Sequence, residues 1–386
     1  MRAYKTEINP TPKQISRIRR TIGTCRFIYN FYLAHNMETY DAGGKFITAN
    51  NFSKWLNNEY MPHNPDEIWI KEVSSKSVKQ SMVNAQTAYQ RFFKKLGGFP
   101  KFKKRRNQDV KMYFVKTDAK TIIKCERHRI QIPTLGWMRL KEFGYLPQDA
   151  IIKSGTVSEK AGRFYVSVLT DEVIEPTPKS GLADGLGIDL GIKDFATASN
   201  GSIFGNINKT SKIKKLEKKL KREQKSLSRK YENKKKRGEK LLTKRSANIE
   251  KNILRVQKLY QALGRKRQEY ARYVVSILAK TKPKYITLEN LNISGMMKNR
   301  HLSKAIANQN FYYFRNWLIY QCHKHGIEIR IADRFYPSSK MCCQCGQINK
   351  DLKLADRTYK CRCGNITDRD LQAAINLERC DNYKVA

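Results

Sequence analysis

The sequence predicts a multidomain α/β chain, and three observations carry that prediction. Its 386 residues are 40% hydrophobic, enough for two or three domains with real cores and too apolar for wholesale disorder. Up to residue 95 the apolar positions fall at helical spacing, and after residue 97 short β-type runs separated by Gly and Pro take over. Beyond residue 186, strand-like and helix-like segments alternate.

The first segment reads as extended and ends at Pro10 and Pro12. In KQISRIRRTIGTCRFIYNFYLAHNMETY, Ile15, Ile18, Ile22, Phe27, Ile28 and Phe31 keep a helical period. VKQSMVNAQTAYQRFFKKL puts Val78, Met82, Ala85, Tyr89 and Phe92 on one face, with Gly97-Gly98 as the expected stop. GGFPKFKKRRN is a basic turn. RIQIP, WMRLK, AIIKSGTVSE and RFYVSVLTDEV read as strands of a small, barrel-like β domain, and residues 176–185 as a linker. Asn200-Gly201 between two apolar runs signals a hairpin. Ile213, Leu216, Leu220, Leu227 and Tyr231 hold a helical stripe through a segment rich in Lys and Arg, which Gly238 breaks. Ile249, Ile253, Val256, Tyr260 and Leu263 continue it, so the pair reads as a helical hairpin with a narrow apolar seam. Its basic face is either solvated or in contact with nucleic acid. YITLE and IEIRIA read as strands, FYYFRNWLIYQCHKHG as a helix, and a last helix begins near Asp370.

Charge narrows the function. Against 34 Asp+Glu stand 77 Lys+Arg, a formal net charge of +43. A compact fold with that excess calls for a polyanion, and nucleic acid is the obvious one, since phosphate neutralisation releases counterions. Ribosomal proteins of this basicity are usually much shorter. No run of about 18 apolar residues spans a membrane, and MRAYKTEINPTPKQ lacks the apolar core of a signal peptide. A cytoplasmic, nucleoid-associated protein is the expectation.

Three acids stand out in so basic a chain. Asp189 lies in LGIDLGIKDFA, where a charge inside an apolar run is costly unless paired or bound to a metal. Glu289 ends YITLE, at the carboxyl end of a strand, where open sheets place their chemistry. Asp370 precedes a helix with Leu371, Ala374, Ile375 and Leu377 on one face. Three carboxylates on separate elements can hold two divalent ions about 4 Å apart, an arrangement suited to phosphodiester chemistry. Each has a plainer reading. Asp370 on its own is a helix cap, a role Asp368 could share; Glu289 could be a surface acid; Asp194 is a turn or solvent residue. Gly191 would allow close backbone approach near Asp189.

Five of the nine cysteines fall within residues 342–363, which suits a metal site better than a disulfide framework. Cys342-x-x-Cys345-Gly and Cys361-x-Cys363-Gly flank a 15-residue segment and read as paired thiolates for one structural Zn²⁺. The second pair is one residue shorter than usual, so Cys343 is a competing ligand and a metal-free ribbon of reduced thiols is the alternative. Cys25, Cys125, Cys322 and Cys380 are scattered core or surface residues.

NPTPKQ…CRFIYNFYL, AYQRFFKK…GFPKFKKR, GIDLGIKDFA, LENLN, YPSSKMCCQCG, DRTYKC and DRDLQAAINL occur in this order over nearly the whole length. In them the chain resembles TnpB, the transposon-encoded RNA-guided DNA endonucleases related to the smallest type V CRISPR effectors. The resemblance implies a wedge β-barrel (1–15 and 96–178) with an inserted helical recognition domain (16–95). It also implies a RuvC nuclease domain of RNase H-like fold (179–335 and 367–386) and a zinc-ribbon insertion (336–366). Asp189, Glu289 and Asp370 would hold two Mg²⁺ ions, and Cys342, Cys345, Cys361 and Cys363 one Zn²⁺. The implied partners are a guide RNA derived from the transposon end and a double-stranded DNA target read through a short flanking motif, with the protein a monomer. Ser75, Lys76, Lys79 and Gln80 occupy the region that contacts that motif, and Lys101, Lys103, Lys104, Arg105 and Arg106 are candidate nucleic-acid contacts. A strand-joining transposase and a non-cleaving guided regulator are the other expectations. The glutamate in the middle position argues against the first, and the three retained acids against the second.

Overall fold

The structure is a computed structural model that describes residues 1–116, 123–173, 184–238, 246–353 and 356–386. The expected linker lies mostly outside these residues. The chain divides into two compact units, Met1–Ile174 and Glu175–Ala386.

In the first unit, β1 (Arg2–Asn9) leads into the long helix α1 (Pro12–Asp41). The helix starts where the sequence is built for it: Thr11 and Gln14 form a reciprocal capping box, and Pro12 occupies the first turn, where its missing N–H costs nothing. α1 serves two cores. Ile15, Ile18 and Ile22 pack on a sheet core, whereas Ile28, Tyr32 and Leu33 join a helical core with α2 (Ala49–Trp55), the single turn α3 (Met61–His63) and α4 (Ser75–Phe93).

α4 buries Val78, Met82, Ala85 and Tyr89, but Phe92 is exposed, contrary to the expected face. The helix also ends before Gly97-Gly98: Lys94 caps it, and Lys95 takes the left-handed conformation (φ 56°) that a glycine was expected to supply.

The sheet comprises β2 (Met112–Val115), β3 (Arg129–Ile132), β4 (Gly136–Leu140), β5 (Ile152–Lys160) and β6 (Arg163–Thr170), with β1 in its middle. The order is β2-β5-β6-β1-β4-β3, and every neighbouring pair is antiparallel. β2, which the sequence reading does not include, is a four-residue edge strand that pairs with β5 and accepts from Ser77 Oγ of α4 at the Tyr113 carbonyl. Among the described residues β2 and β3 do not pair with each other, so the sheet is an open half-barrel.

The second unit begins with the antiparallel meander β7 (Leu186–Leu190), β8 (Asp194–Ala198) and β9 (Ile203–Gly205). The β8–β9 turn carries Gly201 at φ +85°. Helices α5 (Ser211–Lys236) and α6 (Ala247–Lys280) follow, then β10 (Tyr285–Leu288), α7 (Ile293–Met296), α8 (Ser303–Gln309), α9 (Phe311–Lys324) and β11 (Glu328–Ala332). After β12 (Thr358–Lys360) and β13 (Ile366–Asp368) come α10 (Arg369–Glu378) and β14 (Tyr383–Val385). The main sheet runs β14-β11-β10-β7-β8-β9; β7, β10 and β11 are parallel, and β14 is an antiparallel edge.

Helical crossovers are what parallel neighbours require. α6 and α9 supply Ala271, Val274, Val275, Leu278, Phe311, Phe314 and Leu318 to the core beneath the sheet. The α5–α6 seam is narrow, with Ile213, Leu220 and Leu263 buried, while Tyr260 stands 54% exposed outside it.

Candidate functional site

Register brings the first two acids together. β7 and β10 are parallel, with Ile188 beside Leu288. Asp189 and Glu289 are the next residues on the two chains, so they stand side by side at the spacing of adjacent strands, about 4.8 Å.

The third acid comes from above. α10 packs on β7 so closely that a Cβ at Gly187 would lie 1.9 Å from the Ala374 carbonyl oxygen and 2.4 Å from the Glu378 nitrogen. Only glycine tolerates that approach. Asp370 lies in the first turn of α10, where the helix dipole favours negative charge.

The electrostatics match this geometry. The Asp189 carboxyl is pushed up to about 7, first by burial, then by the charges of Asp370 and Glu289; Arg369 opposes the rise and Asp368 adds to it weakly. Burial also raises Glu289. All three acids are half-buried. Asp368 is exposed and does the capping: its Oδ1 accepts the N–H groups of Asp370 (2.9 Å) and Leu371 (3.2 Å). That leaves the Asp370 carboxylate free of the cap, 4.0 Å from Arg357 Nη1. Asp194 opens β8 rather than a turn, and Lys193 Nζ lies 3.8 Å away. Gly191 belongs to the β7–β8 turn, where it faces the Asp194 carbonyl, so the close-approach glycine is Gly187. The donor set is all oxygen and mutually repulsive, which fits a hard divalent cation such as Mg²⁺.

The cysteines converge more tightly. The Sγ atoms of Cys342, Cys345, Cys361 and Cys363 all lie within 4.8 Å of one another. Cys342–Cys363 and Cys345–Cys361 are 3.6 and 3.5 Å apart, close to the ~3.8 Å edge of a tetrahedron with Zn–S near 2.3 Å. The short Cys361-x-Cys363 pair therefore meets the geometry. Gly346 (φ +74°) and Gly364 (φ +89°) form the knuckles behind the two pairs. Cys342 is pulled down to about 6: burial resists, but the N–H groups of Cys345 and Gln344 and the Asn365 amide outweigh it. Cys343 stays outside the quartet; its thiol accepts from Asn365 (3.5 Å) and its carbonyl from Arg379 (2.6 Å). Of the scattered cysteines, Cys25, Cys322 and Cys380 are buried.

Three side chains that sequence reasoning passed over join the two sites. Asn365 Nδ2 donates to Gln372 on α10 (2.9 Å), and Asn376 Nδ2 donates to the Ser338 and Met341 carbonyls (2.7 Å each). Arg369 Nη1 donates to the Lys353 carbonyl (3.0 Å). Their signal in the sequence is slight: Arg369 and Asn376 are polar residues within DRDLQAAINL, and Asn365 lies three residues before it.

The expected nucleic-acid contacts lie in the first unit. Ser75, Lys76 and Lys79 are exposed on the first turns of α4, and Gln80 bonds to Asn84 (3.0 Å). Lys101, Lys104, Arg105 and Arg106 are exposed. Lys103 is instead tied to Asp109 (2.7 Å) and lies over the Tyr29 ring.

Comparison with known proteins adds a second line. Family models described as "Helix-turn-helix domain", "Probable transposase" and "Cas12f1-like, TNB domain" match residues 1–45, 166–300 and 311–377. In this chain residues 1–45 form β1 and the unbroken helix α1. "Putative RNA-guided DNA endonuclease InsQ" of Escherichia coli (strain K12) is 30% identical over 98% of this chain and 91% of its own length. A "Putative RNA-guided DNA endonuclease" of Streptomyces pristinaespiralis is 27% identical over 97% and 88%. A solved Cas12f1-sgRNA-target DNA complex superposes with a TM-score of 0.59 at 16% identity, covering 96% of this chain and 83% of that one. The class is thus that of chains with the compact Cas12f1-like fold. Within it, this chain belongs to the TnpB family.

Proposed function

We propose that this protein is an RNA-guided DNA endonuclease of an IS605-type transposon that cuts with one carboxylate centre, Asp189, Glu289 and Asp370. The observation that carries the reading is the arrangement of these acids: two follow paired residues of the parallel strands β7 and β10, the third lies in the first turn of a helix seated against Gly187, and burial with the charges of the other two pushes Asp189 up to about 7. Two Mg²⁺ ions held there would activate water and stabilise the leaving oxygen of a phosphodiester. Asp189, Glu289 and Asp370 would hold such a cation as carboxylates, and its charge would offset the repulsion among them. Cys342, Cys345, Cys361 and Cys363 hold a structural Zn²⁺ that orders residues 336–366.

The sheet order of the second unit, with an antiparallel meander followed by two parallel strands, supports a RuvC domain of RNase H-like topology over 179–335 and 367–386. The antiparallel sheet and the helices α1–α4 support a wedge (1–15 and 96–178) and a recognition domain (16–95). Ser75, Lys76, Lys79 and Gln80 then face the flanking motif of the target, and Lys101, Lys104, Arg105 and Arg106 face nucleic-acid backbone. Base pairing supplies the sequence choice.

The test is to purify the protein with its co-purifying RNA, sequence that RNA, and assay cleavage of a matched duplex in Mg²⁺. One discrete RNA with a variable 3′ end and guided cutting are expected. Random RNA, strand-joined products or guided binding without cutting would each overturn the reading.

A further inference from the structure

A cleft of 810 Å³ lies in the second unit at the amino ends of β10 and β11, the opposite end of those strands from Glu289. Clefts of this size suit ligands of small-molecule dimensions. Lys280, Lys282 and Lys284 are part of its lining, and among the described residues none of them has a carboxylate partner. Lys282 is held at φ 47°, a left-handed conformation that side chains rarely adopt outside clamps and turns. Arg272 and Trp317 line it too: the Arg272 guanidinium lies 4.7 Å from the Trp317 ring centre and donates to Tyr313 Oη (2.6 Å), a fixed, flat cationic surface. The carboxylate in the cleft, Glu328, is already paired with Arg330 (2.5 Å), which stacks on Tyr285. The carboxyl ends of α6 and α9 also lie here, where Ala279 accepts from Lys282 N–H and Cys322 from Ile327 N–H, and the three lysines oppose the partial negative charge of those ends. Exposed lysines and a stacked guanidinium lining one cleft are the chemistry of a phosphate joined to an aromatic ring.

We propose that this cleft binds one splayed nucleotide of a single strand, its phosphate on Lys280, Lys282 and Lys284 and its base against Arg272 and Trp317. A concave site of this size admits an extruded nucleotide and excludes a duplex. It contains none of the three carboxylates, so it stands whether or not the cleavage reading does.

The test is anisotropy of labelled eight-nucleotide oligo-U and oligo-dT in magnesium-free buffer across a salt series. Two full-chain variants accompany the wild type, each checked by melting. Ser276→Trp fills the cleft without changing charge; about tenfold weaker binding with an unchanged salt slope is expected. Lys282→Ala/Lys284→Ala should weaken binding and reduce the slope by about 1.4. A larger loss on oligo-U would assign the cleft to the RNA, and a larger loss on oligo-dT to a DNA strand. Wild-type affinity in both variants on both oligonucleotides would overturn the proposal.

Discussion

The four thiols and the three carboxylates occupy the same unit, yet they are built on opposite principles. The thiols come from two short knuckles, and their sulfur atoms all lie within 4.8 Å of one another. The carboxylates come from two strands and a helix far apart in sequence, and what marks them is repulsion and burial rather than convergence. A closed set of like ligands suits a structural metal, whereas an open, mutually repulsive set suits the chemistry proposed for it. Asn365, Asn376 and Arg369 then tie the first set to the helix that carries one member of the second.

That contrast can be broken in graded ways. Replacing Cys345 with Ser, or stripping zinc with a strong chelator, should have the largest effect, since structural zinc contributes on the order of 10 kcal/mol to such segments. Hydrogen exchange should show protection lost across 341–366 and kept in β7 and β10. Next, Ala at Asp189, Glu289 or Asp370 should cut guided cleavage by about 10⁴-fold, roughly 5 kcal/mol of barrier, while leaving guided DNA binding near wild type.

Asp189→Asn should stabilise the magnesium-free protein. The folded carboxyl titrates near 7 and the unfolded one near 3.9, so its contribution is whole below about pH 4 and lost as pH rises through 7. The gain should approach at most about 4 kcal/mol at pH 8 and vanish at pH 4, read from urea midpoints. Gly187→Ala, which drives a methyl group into the α10 backbone, should cost about 3 kcal/mol in the same assay and reduce cutting through a displaced Asp370. Asp368→Ala should cost about 1 kcal/mol as a lost cap and leave most cleavage intact. Abolished cutting there would move the third acid from Asp370 to Asp368.

Much of this was legible in the sequence for identifiable reasons. Asp189 and Glu289 show because a charge ending an apolar strand is costly, and the thiols because knuckle spacing is local. What pairs with what is not local: nothing near Leu288 says that it lies beside Ile188, and nothing near Gly187 names the helix that needs it. Asp370 is the sequence's choice with Asp368 as its competitor, because both lie at the start of the same helix; only the backbone decides which oxygen meets the free amides. β2 escaped because four residues after a basic run carry too little pattern, and the end of α4 because Lys95 adopts a conformation glycine would advertise.

The seat of α10 on Gly187 also fixes an order of events. Strands β7 and β10 leave the ribosome well before α10 does, and chains fold from the amino end as they are made. A nascent chain therefore carries its first two acids beside an empty groove at Gly187, and the third arrives only once the cysteine ribbon has emerged ahead of it. Completion of the proposed carboxylate centre is in this sense a late step of synthesis, and a copy of the chain cut short before α10 would lack its third acid.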